Sequence, residues 1–346
     1  MIDFRYHLVS LISVFIALAV GIVLGAGPLN EPIARGLSQS VQQLRQDRDT
    51  LNDQLKTAQV GIANRDAFIR QIEPDLVADQ LGGRSVVLVT LPGFDADAVK
   101  PLTAAIAASG AKVTGRVDVQ NAWVDPNDAS AREKAVQALA TGVGALAGST
   151  ATPSTPGSSS TPSPTRSGGS AGSSQVVAAQ LLARALVTDE LSASEKTDAT
   201  SRALLDGLTR AGLIDVNGDT PTRATQAVIL APGVTQAVQG AAPSPSPSGT
   251  PDPTPSWVTL ARVLDADSTG AAVVGPASSA TAGGLVTAVR ADAPLAAELS
   301  TVDTGGTPMG DVATVFALRE QQLGKAGQYG FGDGAKAPLP ATSGSG

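Results

Sequence analysis

Apolar and polar positions change their spacing twice along the chain, so that three successive segments predict three different kinds of element. From Leu8 to Gly27 there is no charged side chain. A helix rises about 1.5 Å per residue, so roughly 20 such residues span the ~30 Å hydrocarbon layer of a bilayer. The run predicts a transmembrane helix over 8–27, preceded by a short cytoplasmic tail, 1–7. A cleaved signal peptide is the competing reading. It would place several positive residues before a shorter apolar stretch, whereas only Arg5 precedes this one, opposed by Asp3, and Pro28 sits badly behind the small residues Gly25, Ala26 and Gly27. A retained span is expected. Within it Ala17, Gly21 and Gly25 recur every fourth residue, a stripe that lets two helices approach closely in lipid, although small residues are also common in membrane helices that pair with nothing. Arg5 and the terminal amine compete with Arg35, Arg45 and Arg48 for the inner side. A short tail is more readily retained than a large domain, which is translocated largely regardless of its charge. The amino terminus is therefore expected inside and the bulk of the chain extracytoplasmic.

Beyond the span, Leu37, Val41, Leu44, Leu51, Leu55, Ala58, Ile62, Ile69 and Ile72 follow steps of three and four with Gln, Arg, Asp and Asn between them. That is the a/d seam of a coiled coil, and it predicts a stalk over 36–73 ended by Pro74. Arg48 and Arg65 fall on the seam, where polar residues weaken a coil and fix its register or partner number. They keep open the alternative of a lone amphipathic helix packed on its own domain. Two parallel chains leaving the bilayer together account for both the stripe and the seam, so a parallel homodimer is the expected assembly.

From Arg84 the spacing shortens again. "RSVVLVTLPG" is a β-branched run ended by Pro-Gly, followed by a helical "DADAVKPLTAAIAASG" and a second strand, "AKVTGRVDV". Further strands are expected in "TQAVILAPG", "TGAAVVGPAS" and "ELSTVDT". Helical stretches fall at 131–147, 175–188, 194–212, 256–266 and 309–323. Alternation of this kind predicts an α/β domain over 84–335, a mostly parallel sheet of five strands with helices on both faces. Two segments rich in Pro, Ser, Thr and Gly, 148–174 and 240–256, hold too little apolar surface to repay the entropy of ordering, and are expected to be disordered loops of this one domain. Residues 336–346 are expected to form a flexible tail.

Composition narrows the chemistry. The chain is acidic, 31 Asp plus Glu against 24 Lys plus Arg, with no basic patch interleaved with aromatics, so nucleic acid is not an expected partner. There is no cysteine, which removes disulfides, thiolate ligands and cysteine nucleophiles. The single histidine, His7, precedes the span and leaves no Ser-His-Asp arrangement. No enzyme is expected.

Asp95 and Asp97, after the first strand, suit the start of a helix better than a metal or catalytic pair. "DVNGDT" resembles the first half of a calcium loop through Asp215, Asn217 and Asp219. Thr220 and Gln226 stand where that loop needs glycine and glutamate, so the stretch reads as a turn. Ligands of open parallel sheets bind beyond the strands' carboxyl ends, which makes Gly93, Asp95, Gly233 and Gly275 in "LPGFD", "APGVT" and "GPASS" the candidate crevice, against the plainer reading of βα turns that need small residues. The glycines of "GQYGFGDGA" lie between no strand and helix and carry no dinucleotide fingerprint; Tyr329 and Phe331 are expected to dock this segment on the domain.

"MIDFRYHLVSLISVFIALAVGIVLGAGPL", the heptad stalk, the α/β domain and the terminal "GQYGFGDGA" together resemble the actinobacterial MctB family, named for mycobacterial copper transport protein B. The resemblance covers nearly the whole chain and is most specific in the first thirty or so residues. It implies a cell-envelope protein of copper transport or homeostasis, associated with an envelope or cell-division partner, and it brings no catalytic motif to any numbered position. The residues themselves give no cofactor site. Copper prefers Cys, Met and His, of which the chain has only Met1, His7 and Met309, so carboxylates would hold copper at most weakly. An anchored, non-catalytic scaffold that recruits an envelope partner is the alternative from a different class.

Overall fold

The computed structural model describes residues 4–25, 30–148, 170–196, 198–234 and 252–340. The chain divides into two units, Met1–Arg65 and Asp66–Gly346.

The first unit is helical. Helix α1, Phe4–Gly25, contains Tyr6–Val23, whose mean hydropathy of 2.3 and length suffice to cross a membrane, and none of that stretch is buried. Ser13 donates to the Val9 carbonyl at 2.8 Å, satisfying its hydroxyl within the helix. Helix α2, Asn30–Val77, begins in this unit. Val41, Leu44, Leu51, Leu55 and Ile62 stand 39% to 67% exposed along it, so among the described residues the regular apolar stripe is left uncovered. Arg48 is paired with its neighbour Asp49 at 2.7 Å. The side chain of Leu37, at the start of the seam, lies outside the described residues.

In the second unit the strands are β1 Ser85–Thr90, β2 Lys112–Val119, β3 Ile214–Asn217, β4 Gln226–Leu230, β5 Ala271–Val274, β6 Ser300–Val302 and β7 Gln328–Tyr329. They form one sheet in the order β3-β2-β1-β4-β5-β6-β7, parallel except for β3, which runs antiparallel to β2. Helices α3 Val99–Ala108 and α10 Pro308–Gln322, with the end of α2, cover one face. The other face carries α4 Ala129–Gly148, α5 Ser170–Leu186, α6 Ala199–Arg210, α7 Thr254–Ala266, α8 Leu285–Ala291 and α9 Ala293–Glu298.

Strand periodicity sorts the two cores. Val86 and Leu88 of β1, Val228 and Leu230 of β4, and Ala272 and Val274 of β5 point to α3 and α10. Val87, Val89, Ala227, Ile229, Ala271 and Val273 point to the opposite layer. Both faces are dry, which is why these strands read as continuous apolar runs rather than as alternation. With so few aromatics the core is closed by approach rather than bulk: Ala272, Ala313 and Ala317 are fully buried where α10 lies on the sheet.

Several expectations are corrected. The sheet has seven strands, not five. β3 runs into the stretch read as a turn: Ile214 is buried and Asp215 and Asn217 are exposed, the alternation of an edge strand, and only Gly218 and Asp219 make the turn. β7 lies in the glycine-rich segment and is too short to show a period. α2 runs through Pro74 to Val77. A proline there removes only one backbone bond of the last turn, while Val77 and Leu81 become fully buried in the domain. Ile69, read as part of the seam, packs on the core beneath α3 and α10. The predicted loops are shorter than expected, because α5 already begins at Ser170 and α7 at Thr254; most of both segments lies outside the described residues. Of the tail, Lys336 donates its N–H to the Gln328 carbonyl at 2.7 Å and Leu339 packs on the core, so 336–340 belongs to the fold.

Candidate functional site

The strand order reverses between β1 and β4, and the βα turns beyond them meet there. Leu91 donates its N–H to the Leu230 carbonyl at 2.9 Å, and Ala231 donates to Val274 at 2.8 Å, so the turns after β1, β4 and β5 are stitched together. A Cβ added at Gly233 would strike the Ser278 hydroxyl, and one at Gly275 would strike Ser279 and crowd the Ala231 carbonyl. The glycines permit these close approaches, and the crevice is occupied by the protein's own turns. Asp95 is exposed and its Oδ1 accepts from the Asp97 N–H at 3.0 Å, capping a short 3-10 turn, Ala96–Ala98. The cavities of about 590, 200 and 290 Å³ are lined by none of Gly93, Asp95, Gly233 and Gly275.

Next to the crevice lies a cluster not apparent from the sequence patterns. Arg290 of α8 and Asp303 after β6 form an ion pair at 2.8 Å, with side chains 4% and 1% exposed. Arg290 also donates to the Thr301 hydroxyl at 2.9 Å and to the Tyr329 and Asp333 carbonyls, each at 2.8 Å. Asp303 in turn accepts the N–H groups of Phe331 and Gly332, both at 2.9 Å. The terminal "YGFGDG" is thus folded around one buried charge pair. Gly330 has φ +124°, and a Cβ there would overlap the Asp303 carboxylate, so both its conformation and its missing side chain are used. Tyr329 is buried and its hydroxyl donates to Glu320; burial pushes its phenol pKa up and the neighbouring carboxylate adds to the effect. Of the two side chains expected to dock the segment, Tyr329 is buried as expected but Phe331 is 65% exposed, and Asp303 takes its place by accepting from the backbone.

A second buried pair lies where the end of α2 meets α10. Burial holds Asp311 up to about 7, reinforced by the Glu73 carboxylate and opposed by Arg70. Glu73 is raised as well, mainly by burial, with Arg70 opposing. A cavity of about 290 Å³ opens beside them, lined by Arg70, Glu73 and Pro74 from α2 and Pro101, Ala104 and Ala108 from α3. Asp311 was visible in the sequence as the lone carboxylate of the otherwise apolar "PMGDVATVFAL", but nothing local shows that Glu73 faces it.

The sign of the resulting pH dependence follows from the native pKa lying above the unfolded value. Ionising Asp311 is penalised only in the folded chain, so its contribution to stability is full at acid pH and is lost as pH rises from about 4 through about 7. Asp311→Asn is expected to match the wild type in denaturant titrations at about pH 3.5 and to exceed it by about 1–3 kcal/mol at pH 8. Equal stability at both pH values would refute the assignment.

Among the described residues no three His, Asp or Glu side chains converge as a metal site. The elements that stand out are instead the uncovered apolar faces of α1 and α2. On α1, Ala17, Gly21 and Gly25 are all exposed, and no atom lies within 4 Å of where a Cβ on either glycine would be.

Residues 1–340 match the family model described as copper transport outer membrane protein, MctB. Proteins named copper transporter MctB from Mycobacterium tuberculosis and Mycobacterium bovis are 28% identical over 338 residues, covering 97% of this chain and 98% of theirs. The protein of that name from Mycobacterium leprae is 28% identical over 344 residues.

Proposed function

The chain belongs to the MctB family, and from that premise we propose that it serves copper transport across the cell envelope as an anchored, paired protein. The observation that carries this reading is the match over residues 1–340, which takes in the apolar helix, the long α2 and the whole α/β unit. In this reading α1 crosses the bilayer once, with 1–7 inside and the sheet domain outside. The exposed residues Val41, Leu44, Leu51, Leu55, Ala58 and Ile62 then meet the same residues of a second copy in a parallel coiled coil, and Ala17, Gly21 and Gly25 bring the two spans together.

The chain's own side chains limit how copper is handled. A single α-helix encloses no channel, and within 8–27 the polar side chains available to line an oligomeric path are Ser10 and Ser13. No cysteine is present, and Met309 is the one soft ligand beyond the span. Copper would therefore pass by weak oxygen contacts through an oligomer, or through an assembly this protein supports. The uncovered apolar stripe of α2 favours a second reading, a dimeric scaffold that recruits an envelope or cell-division partner and acts on copper indirectly.

Copper flux into liposomes carrying the full-length protein separates the two. A flux above that of empty liposomes, lost in Leu44→Asp/Leu51→Asp, is expected of an oligomeric conduit. Flux equal to empty liposomes sinks the direct role and leaves the scaffold.

A further inference from the structure

A cavity of about 590 Å³ lies at the end of the sheet opposite the crevice, where α5 and α7 finish and the chain enters β4. Its charged lining consists of Arg184 and Asp189 from the end of α5, Arg223 before β4 and Asp267 after α7. Two guanidinium groups and two carboxylates thus face one open space. Among the described residues Arg184, Asp189 and Asp267 make no ion pair. Arg223 is bound only at one end, to Asp198 at 3.1 Å, and its Nε is buried without a hydrogen-bond partner. Opposite charges that line one cavity of small-molecule size leave room for a ligand of mixed charge to bridge them.

The mixture of signs selects the ligand class. A simple anion drawn to Arg184 and Arg223 would meet Asp189 and Asp267, and a metal cation would meet the reverse. The carboxyl ends of α5 and α7, at Leu186 and Ala266, add partial negative charge that suits an ammonium group, while the guanidinium groups of Arg184 and Arg223 offer planar donors to a carboxylate. Val187 and Val263 supply an apolar wall between the charges. We propose that this cavity binds a short peptide by its two free termini, the carboxylate on Arg184 and Arg223 and the ammonium on Asp189 and Asp267. The proposal does not rest on the transport reading, so its test is independent of it.

Calorimetric titration of the full-length protein with trialanine, N-acetyl-trialanine and trialanine amide tests it. Saturable binding of trialanine is expected, weakened about tenfold or more by blocking either terminus. Arg184 and Asp267 are both exposed, so Arg184→Gln and Asp267→Asn leave the fold intact. Arg184→Gln should weaken trialanine and leave the affinity of the amide unchanged, because the group it serves is already gone. Asp267→Asn should do the same with respect to the N-acetyl peptide. No saturable binding at millimolar peptide, equal binding of free and blocked peptides, or variants that bind all three like the wild type would each overturn the proposal.

Discussion

Arg290→Met is expected to lower the unfolding free energy by about 3–5 kcal/mol, the cost of leaving a buried charge uncompensated. The loss is large because the guanidinium serves four acceptors at once: Asp303, the Thr301 hydroxyl and the carbonyls of Tyr329 and Asp333. Methionine replaces the volume of the stem but none of the donors. Asp303, 1% exposed, would keep only the two N–H groups of Phe331 and Gly332. Urea titration of the second unit's fluorescence and limited proteolysis of the 328–340 segment read the effect, the segment becoming the first site of cleavage. Adding Asp303→Asn should recover part of the loss, since the stranded charge is then removed. A change below about 1 kcal/mol for Arg290→Met would mean that the pair does not hold the terminal segment.

The second large effect concerns assembly. Leu44→Asp/Leu51→Asp is expected to convert a detergent-solubilised dimer into a monomer while leaving the unfolding of the sheet domain unchanged. Each leucine is more than 60% exposed in the single chain, so neither contributes to the stability of its own fold. Across a seam, burying each is worth about 1.5–3 kcal/mol, and an aspartate there adds the cost of a buried charge. Light scattering of wild type and variant checks the mass. A monomeric wild type, or a variant that stays dimeric, refutes pairing through this stripe. Ile69 would give a different result: it packs on the domain core, and Ile69→Asp should reduce domain stability itself.

How much of this was legible depended on how local the signal was. β1, β4 and β5 could be read as strands because both faces of each are buried and their side chains are mostly β-branched, small or aliphatic. β3 escaped because two of its four residues are exposed polar groups beside a glycine turn, and the turn chemistry dominated the reading. β7 escaped because two residues carry no period. The crevice glycines were found by their position after strands, but position does not reveal that Ser278 and Ser279 fill the space. The Arg290–Asp303 pair had one faint signal, the density of glycines around Phe331, which marks a backbone forced close to something. What that something was, Asp303, lay 27 residues upstream of Gly330 by number, just beyond the end of β6.

The sequence by itself determined a span long enough for a bilayer, a long amphipathic helix beyond it and an α/β domain with a mostly parallel sheet, because length and hydrophobic period act within a few turns of chain. Only the tertiary structure decided which charges meet. Arg290 with Asp303, Glu73 with Asp311, and Arg184 with Arg223, Asp189 and Asp267 are brought together by crossovers of the sheet. Nothing in the local spacing of these residues encodes that encounter, since a buried or unmet charge is defined by its neighbours in space.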